Sequence, residues 1–112
     1  MQNTRLEKLL EFYKNEPNDE FLKYALATEY LRLNDTEKAL FYYEDLLNNH
    51  PNYVGTYYHL GKLYEALNRT DDALITYEKG ITVTRAVRDN HALSELQAVY
   101  MELKGDDDDD DY

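Results

Sequence analysis

The chain has 112 residues, the size of a single domain, and it contains no cysteine, which excludes disulfides, thiolate nucleophiles and thiolate metal sites. The formal net charge is −11, and Asp106–Asp111 supplies six of those negative charges, while the twelve Lys and Arg are scattered along the sequence. An acidic surface without a basic patch repels phosphate backbones, so nucleic acid is not expected as a partner.

Apolar side chains recur at helical spacing along most of the chain, and no segment alternates with the period of a β-strand. Pro17 and Pro51 mark turns between helices. Asn34 and Asn68 stand where a left-handed residue is expected to end a helix, a conformation that asparagine tolerates. The sequence therefore predicts an all-α fold of about six helices, over residues 3–15, 18–33, 37–48, 53–67, 70–87 and 90–104.

Residues with short polar side chains precede each predicted helix and are expected to cap its free amides. Gly105 is expected to end the last helix. The run of like charges that follows predicts a disordered acidic tail over residues 106–112, whose role the sequence leaves open. The predicted caps are Asn3 or Thr4, Asn18 or Asp19, Thr36, and Asp89 or Asn90, whereas Thr70 is expected to start its helix.

The chain also repeats itself with a period of 34 residues. The period stops at Arg85, where a third proline is missing, so the fifth helix is expected to continue to about Val87. A fixed period is the signature of a solenoid, in which each repeat buries its apolar face against its neighbours. The matching pairs include Leu26 and Leu60, Tyr30 and Tyr64, Asn34 and Asn68, Ala39 and Ala73, and Tyr43 and Tyr77.

These residues resemble the tetratricopeptide repeat, whose pattern is aromatic-x₂-Leu-small-x₂-Tyr, then Ala-x₃-aromatic, then Pro. The resemblance implies a short right-handed α-solenoid of antiparallel helix-turn-helix repeats. The sequence departs from the family pattern at two positions. Lys23 stands where the family has an aromatic residue, and Leu46 stands where the family usually has a small residue. The matches are Tyr57-x₂-Leu60-Gly61-x₂-Tyr64 with Ala73-x₃-Tyr77, and Lys23-x₂-Leu26-Ala27-x₂-Tyr30 with Ala39-x₃-Tyr43 and Pro51.

The resemblance further implies one domain over residues 1–105. Two repeats are fewer than a solenoid normally needs, so the flanking helices are expected to cap it. A second copy of the chain is the alternative cap. The predicted parts are a half-repeat helix (1–17), repeat 1 (18–51), repeat 2 (52–87) and a capping helix (88–105).

In this family the first helix of each repeat lines a concave groove that binds peptides. The resemblance makes Tyr24 and Tyr58, one period apart, the candidate anchors of a bound segment. The alternative is that these two rings pack against each other and against the last helix. The groove positions implied are Phe21, Tyr24, Ala25, Thr28, Leu31 and Arg32 in repeat 1, and Gly55, Tyr58, His59, Lys62, Glu65 and Ala66 in repeat 2.

Family members that bind chaperone tails grip a terminal carboxylate with Lys and Asn side chains. Those positions hold Tyr24, Thr28 and His59 here, so this clamp is absent, although Lys62 and Arg32 remain able to pair with an acidic group. No two histidines have the spacing of metal ligands, and no phosphate-binding or nucleophile motif occurs. We therefore expect no metal, no cofactor and no catalysis.

The predicted function is a non-enzymatic adaptor or scaffold that binds a peptide or helix of a partner protein. The alternative is a structural homo-oligomer whose groove or end helix packs on another copy, and a homodimer is one form of it. An enzyme is the third, least favoured hypothesis. The first residues lack the apolar core of a signal peptide, and no stretch is long enough to span a bilayer. We therefore expect a cytoplasmic protein without a membrane partner.

Overall fold

The computed structural model consists of six α-helices and describes the backbone of residues 4–109 and the side chains of residues 4–105. No β-strand occurs in this part of the chain. The predicted all-α class and number of helices are confirmed, and the first five helices have the predicted ends to within two residues. The helices are α1 (Thr4–Asn15), α2 (Glu20–Arg32), α3 (Thr36–Asn49), α4 (Gly55–Ala66), α5 (Thr70–Val87) and α6 (Asn90–Asp109).

The helices form two compact units, of which the first ends at Tyr53 and the second begins at Val54. In the first unit α2 packs against both α1 and α3, and in the second unit α5 packs against both α4 and α6. Each unit therefore contains the helix pair of one repeat and one additional helix. The single domain over residues 1–105 stays a prediction.

Left-handed residues end three of the helices. Asn34 and Asn68 have φ angles of 64° and 60°, which confirms their predicted role. Arg88 ends α5 in the same way with φ 63°, although arginine rarely adopts this conformation and no sequence pattern predicted it. The amides that follow donate to carbonyls of the preceding turn: Asp35 to Tyr30 (2.9 Å), Arg69 to Tyr64 (2.8 Å) and Asp89 to Thr84 (2.9 Å).

Aspartate side chains cap three of the helices, α2, α3 and α6. Thr36 was predicted as a cap, but it is the first residue inside its helix. The Asp35 carboxylate accepts the capping bond of α3 instead, from the amide three residues later at 3.2 Å. A capping side chain must stand on the non-helical residue just before the first turn, and Thr36 lies one residue too late. Thr70 starts α5, as predicted. Asp19 and Asp89 cap α2 and α6 as predicted.

Helix α6 continues to Asp109, so the prediction that Gly105 ends it was wrong. Gly105 does not adopt a positive φ. A glycine inside a helix costs only about 1 kcal/mol relative to alanine, and no proline follows to stop the chain from continuing as helix. Residues 106–109 are therefore helical, not disordered as predicted. The rest of the predicted tail, residues 110–112, lies outside the described residues.

The core of the first unit lies between α2 and α3, as the repeat pattern predicts. Two alanines, Ala27 and Ala39, let the two helices approach closely, and both are inaccessible to solvent. Leu26 and Leu46 are equally buried, so the larger residue at position 46 is accommodated. Beside this core the Tyr42 ring stacks on Tyr30 with centroids 5.8 Å apart, and the edge of Tyr13 from α1 meets it at 5.6 Å.

Lys23 is buried, which accounts for the departure from the aromatic residue of the family pattern. Only 4% of its side chain is exposed, and its ammonium lies 3.2 Å from Asp45 Oδ1. It lies equally close to His50 Nε2, which must therefore accept, so the ring proton is on Nδ1, 3.4 Å from Glu20 Oε2. Lys23 thus joins α2 to the end of α3 through charge where the second repeat uses an aromatic ring.

Glycines allow close packing in the second unit. A Cβ on Gly80 would lie 2.5 Å from Tyr57 Cβ and 2.9 Å from Leu96 Cδ1, so α5 contacts both α4 and α6 at this residue. Tyr57 and Gly80 occupy the positions that Lys23 and Leu46 hold in the first unit. The second unit therefore combines a large residue, Tyr57, with a small one, Gly80. The first unit has two side chains of intermediate size, Lys23 and Leu46, at the same positions.

Burial also affects the tyrosines. Tyr57 and Tyr77 are almost or fully inaccessible, and Tyr77 donates its hydroxyl hydrogen to Glu65 Oε2 at 2.5 Å. Removal from water disfavours the phenolate, so the pKa of each buried hydroxyl rises, and for Tyr77 the nearby Glu65 carboxylate raises it further. The tyrosines whose pKa is raised in this way are Tyr42, Tyr43, Tyr53, Tyr57 and Tyr77.

Substitution of Gly61 tests the close packing of α4 and α5. A Cβ there would overlap with Tyr77 Cε1, and the fully buried Tyr77 ring is held by its hydroxyl bond. Gly61→Ala is expected to lower the free energy of unfolding by about 1–3 kcal/mol in a denaturant titration. The control is Gly105→Ala, where no atom lies within 4 Å and where the change is expected to stabilise by up to about 1 kcal/mol. Equal stabilisation by both substitutions would contradict the packing.

Candidate functional site

The predicted groove residues of repeat 1 lie along α2 and differ in exposure. Phe21 is 61% exposed, and Thr28 and Arg32 are also exposed. Tyr24 is half-buried, because its ring packs on Tyr53 at 5.4 Å and on Tyr43 at 6.4 Å. Within this unit α2 therefore presents a face with an anchored aromatic ring among accessible side chains. Of the other two predicted residues, Leu31 is half-buried and Ala25 is buried.

A cleft of about 500 Å³ borders this face where α2 meets α1. Phe21 and Ala25 form its α2 side, so two predicted groove residues lie there. The α1 side is partly apolar and partly basic, and Phe12 is 58% exposed in it. The lining residues from α1 are Thr4, Arg5, Lys8, Leu9 and Phe12.

The predicted groove residues of repeat 2 lie along α4. Tyr58 and His59 are half-buried with their rings edge to face at 5.7 Å, while Lys62 is exposed. Glu65 is half-buried, because it accepts the hydroxyl hydrogen of Tyr77. Tyr58 thus resembles Tyr24 in exposure, one period along the chain. Gly55 is half-buried and Ala66 is exposed.

A second cleft of about 280 Å³ lies between α4 and α6. Its α4 side includes Tyr58 and His59, and its α6 side includes Ala92, Glu95 and Leu96. Burial lowers the pKa of His59 from its ordinary value of 6.5, and the negative charge of Glu95 opposes this shift only in part. The imidazole is therefore held in its neutral form more strongly than a histidine in water.

A pH dependence follows from the lowered pKa of His59. The unfolded chain binds a proton at this residue more readily than the folded chain, so its contribution to stability is complete above pH 6.5 and is lost as pH falls through the lower, folded pKa. His59→Gln is expected to reduce the loss of stability between pH 7 and pH 5 in thermal unfolding. The control is His91→Gln, at a side chain 87% exposed, which should retain the loss. A steeper loss in His59→Gln would contradict the assignment.

The charges on the two faces are largely balanced by their own neighbours. Arg32 lies 2.6 Å from Glu29, and Lys62 lies 3.7 Å from Glu65. The acidic ligand that the sequence suggested for these cations would therefore have to compete with existing ion pairs. Among the side chains that the structure describes, those of residues 4–105, no group of three or more metal-ligating residues is close enough to hold an ion. What the faces offer is aromatic and apolar contact area with hydrogen-bonding groups around it.

Sequence reasoning missed the residues that the additional helices contribute. Leu9 and Phe12 of α1 border the face of α2, and Glu95 of α6 borders His59. A signal for Phe12 existed, because it stands one period before Leu46, which is fully buried, whereas Phe12 itself is 58% exposed. Tyr53, which supports the Tyr24 ring, carried no signal, because it lies in the turn after Pro51.

Two helices per 34 residues, with small residues at each crossing, define a helical-repeat protein. Two family models, both described as tetratricopeptide repeat, match the chain, one over residues 19–63 and the other over residues 54–86. The solution structure of a tetratricopeptide repeat domain protein from Salinibacter ruber is 50% identical in sequence to this chain. The alignment covers 80% of this chain and 90% of the Salinibacter ruber chain, with a TM-score of 0.76. The chain belongs to the tetratricopeptide repeat family.

Other solved structures agree. A crystal structure of the Salinibacter ruber domain is also 50% identical, with coverage of 78% of this chain and 98% of its own and a TM-score of 0.75. The TPR2B domain of yeast Sti1 shares the fold at 19% sequence identity and a TM-score of 0.81. That alignment covers 90% of this chain and 81% of the Sti1 chain. No curated protein matches the chain. None of the helices described is both long and apolar enough to cross a membrane.

Proposed function

We propose that this protein is a non-enzymatic adaptor that binds a segment of a partner protein through the outer faces of α2 and α4. The observation that carries the proposal is the state of Tyr24 and Tyr58, which are half-buried at the same position of two repeats. Rings held by neighbours lose little freedom on binding, and aromatic side chains of this kind supply much of the affinity of protein interfaces. The residues proposed to contact the partner are Phe21, Tyr24, Thr28, Arg32, Tyr58, His59, Lys62 and Glu65.

Membership of the family supports this proposal, because proteins built from tetratricopeptide repeats are in general interaction modules. The structure of the yeast Sti1 domain is a complex with pHsp70, so a similar fold accepts a protein ligand. The chain lacks cysteine and the motifs of phosphate loops and nucleophile elbows, which favours binding over catalysis.

The chemistry of the two faces favours a partner segment with apolar or aromatic anchors. Arg32 and Lys62 already lie beside carboxylates, and the positions of the carboxylate clamp hold Tyr24, Thr28 and His59. A terminal carboxylate would therefore find no clamp. We expect apolar side chains of the partner to contact the tyrosine rings and its backbone to find hydrogen-bonding groups beside them.

The test is selection of peptides from a displayed library on the full chain, followed by calorimetric titration. Tyr24→Ala/Tyr58→Ala is expected to weaken binding of the selected peptides at least tenfold, because it removes the ring proposed as the anchor on each face. Phe41→Ala is the matched control, since this ring is 62% exposed on α3 and outside both faces. Equal affinity of the wild type and the double variant would remove the site assignment. The same titration with a chain that lacks residues 106–112 shows whether the acidic run contributes to binding.

A further inference from the structure

Glu95 on α6 is a carboxylate with which no lysine or arginine in the described part of the chain forms an ion pair. On α4, by contrast, Glu65 lies 3.7 Å from the ammonium of Lys62. The neighbour of Glu95 is the imidazole of His91 at 3.6 Å, and this side chain is 87% exposed and charged only when protonated. The Glu95 side chain, itself 52% exposed, is therefore accessible to a cation from outside the chain.

The cleft of about 280 Å³ between α4 and α6 brings this carboxylate together with two rings. Glu95 lines its α6 side, and Tyr58 and His59 line its α4 side. Ala92 and Leu96 add apolar atoms on the α6 side, and the lining residues that the structure describes include no lysine or arginine. The cleft therefore combines one carboxylate with aromatic and apolar contact area.

Both rings are compatible with a positively charged ligand. Burial lowers the pKa of His59, so at pH 7 its imidazole is neutral and does not repel a cation. The negative charge of Glu95 acts on this imidazole in the opposite direction, because the carboxylate lies close to it. Tyr58 is half-buried, and the face of an accessible tyrosine ring attracts a cation within about 6 Å of its centroid. The cleft therefore offers a negative charge and an aromatic ring to the same ligand.

The volume of the cleft and its chemistry favour an arginine side chain. Pockets for small molecules range from about 300 to 1,000 Å³. A cleft of about 280 Å³ therefore accommodates a long side chain and not a cofactor. A guanidinium group is planar, so it can donate two hydrogen bonds to one carboxylate and also stack on a ring. The ammonium of lysine is a compact, strongly hydrated charge without this geometry, so arginine is expected to bind more tightly than lysine.

The charge of the surrounding chain acts in the same direction. The formal net charge of −11 attracts a basic segment before contact is made. On α6, Glu102 stands two turns after Glu95, and its negative charge contributes to the raised pKa of Tyr77 on α5. Lys62 on α4 has the opposite charge, but its ammonium already lies beside Glu65. A segment that carries an arginine is therefore favoured over an acidic segment at this cleft.

We propose that the cleft between α4 and α6 binds an arginine side chain of the partner segment and that Glu95 selects it. The guanidinium group donates to the Glu95 carboxylate and lies over the Tyr58 ring, while the aliphatic part of the arginine packs beside Ala92. This inference rests on the proposed function, because Tyr58 and His59 belong to the face of α4 proposed to contact the partner. The partner segment is therefore basic beside its apolar anchors, opposite in sign to the ligand of a carboxylate clamp.

The first experiment uses acetyl-arginine amide as a probe of this subsite alone. Titration into the full chain at about 50 mM salt is expected to shift the NMR signals of Tyr58, His59 and Ala92 in a saturable manner. Glu95→Gln keeps the size of the side chain and is expected to weaken this binding about fivefold. The lysine analogue of the probe should bind more weakly than the arginine probe. The uncharged glutamine analogue should give no saturable shifts at these residues.

The second experiment tests the subsite within a bound segment. Peptides are selected from a displayed library on the full chain and, in parallel, on Glu95→Lys. The wild type is expected to enrich arginine at a fixed distance from an apolar residue, and Glu95→Lys is expected to enrich aspartate or glutamate there. For one peptide selected on the wild type, replacement of its arginine by glutamine should weaken binding to the wild type about tenfold and binding to Glu95→Gln less than about twofold. This dependence on Glu95 separates a direct contact from a general effect of charge.

Two further variants complete the design. Glu78→Gln removes the same charge from an exposed residue of α5 outside the cleft and should bind the probe like the wild type. Tyr24 lies in the first unit, so Tyr24→Ala is expected to weaken binding of the selected peptides and to leave binding of acetyl-arginine amide unchanged.

The outcomes separate this inference from the proposed function. Equal affinity of the wild type and Glu95→Gln for the arginine probe would overturn the inference, and so would saturable binding of the glutamine analogue at the same residues. Unchanged binding of the selected peptides by Tyr24→Ala would instead contradict the proposed anchor on α2 and leave the arginine subsite in place.

Discussion

Asp45→Ala is expected to lower the free energy of unfolding by about 3 kcal/mol, at the lower end of the cost of breaking a buried ion pair. The substitution leaves the ammonium of Lys23, whose side chain is only 4% exposed, without its carboxylate. His50 still accepts one hydrogen bond from Lys23, but a neutral imidazole does not balance the charge. Asn49 loses its hydrogen-bond acceptor on Asp45 as well. Urea titration with circular dichroism measures the change.

Two further variants make this result specific. Lys23→Met/Asp45→Leu removes both charges and is expected to be within about 1 kcal/mol of the wild type or more stable, because well-packed apolar residues often replace a buried pair without loss. Asp72→Ala, which breaks the exposed pair with Arg69 at 2.8 Å, should cost less than about 1 kcal/mol. If Asp45→Ala and Asp72→Ala cost the same, Lys23 has access to water and the pair is not a buried one.

Leu60→Ala is expected to destabilise the protein by about 2–5 kcal/mol. Leu60 is completely inaccessible, so its removal both forfeits the transfer of a buried side chain from water and leaves a cavity. The backbone cannot collapse into that space easily, because the neighbouring residue Gly61 is already in contact with the Tyr77 ring. A domain of this size has a total stability of about 5–15 kcal/mol, so the midpoint of denaturation should fall markedly.

The control for Leu60 lies at the end of the same helix. Leu67 is 38% exposed, and Leu67→Ala should cost less than about 1 kcal/mol because water already reaches the site. An unchanged midpoint in Leu60→Ala would remove Leu60 from the core and with it the repeat alignment that assigns it there.

The sequence was sufficient for the helices because its signals are local. Pro17 and Pro51 exclude helix for stereochemical reasons that no tertiary contact changes, and Asn34 and Asn68 supply the left-handed residue that ends a helix. The missing proline at Arg85 correctly predicted that α5 runs to Val87. The period of 34 residues added the pairing of helices, since each small residue marks a crossing.

The sequence was insufficient where the outcome depends on residues far apart. Lys23 was predicted only as a departure from the family pattern, because its partners Asp45 and His50 lie 22 and 27 residues away. Gly105 failed as a stop signal because glycine permits a helix end without requiring one, and the chain after it remained helical. The cleft beside Phe21 also depends on Leu9 and Phe12, which border it because α1 packs against α2, a contact that their own identity does not reveal.

The candidate faces were predicted only through the family resemblance. That resemblance named Tyr24 and Tyr58, and the structure finds both half-buried. What such a face can bind also depends on whether its charged side chains already form ion pairs, and this depends on the distances between them in the folded protein. The ion pairs of Arg32 with Glu29 and of Lys62 with Glu65 join residues three apart on one helix, yet the sequence alone could not distinguish them from free cations.

The buried tyrosines set an alkaline limit to this fold. In the unfolded chain each phenol ionises near its ordinary pKa of 10, whereas burial holds Tyr42, Tyr43, Tyr57 and Tyr77 protonated to higher pH. Above pH 10 the folded chain therefore binds more protons than the unfolded chain, and stability falls with rising pH. Accessible tyrosines should ionise first in an ultraviolet titration, and the buried ones should follow together as the chain unfolds. With twelve tyrosines and no tryptophan, the protein itself reports that transition.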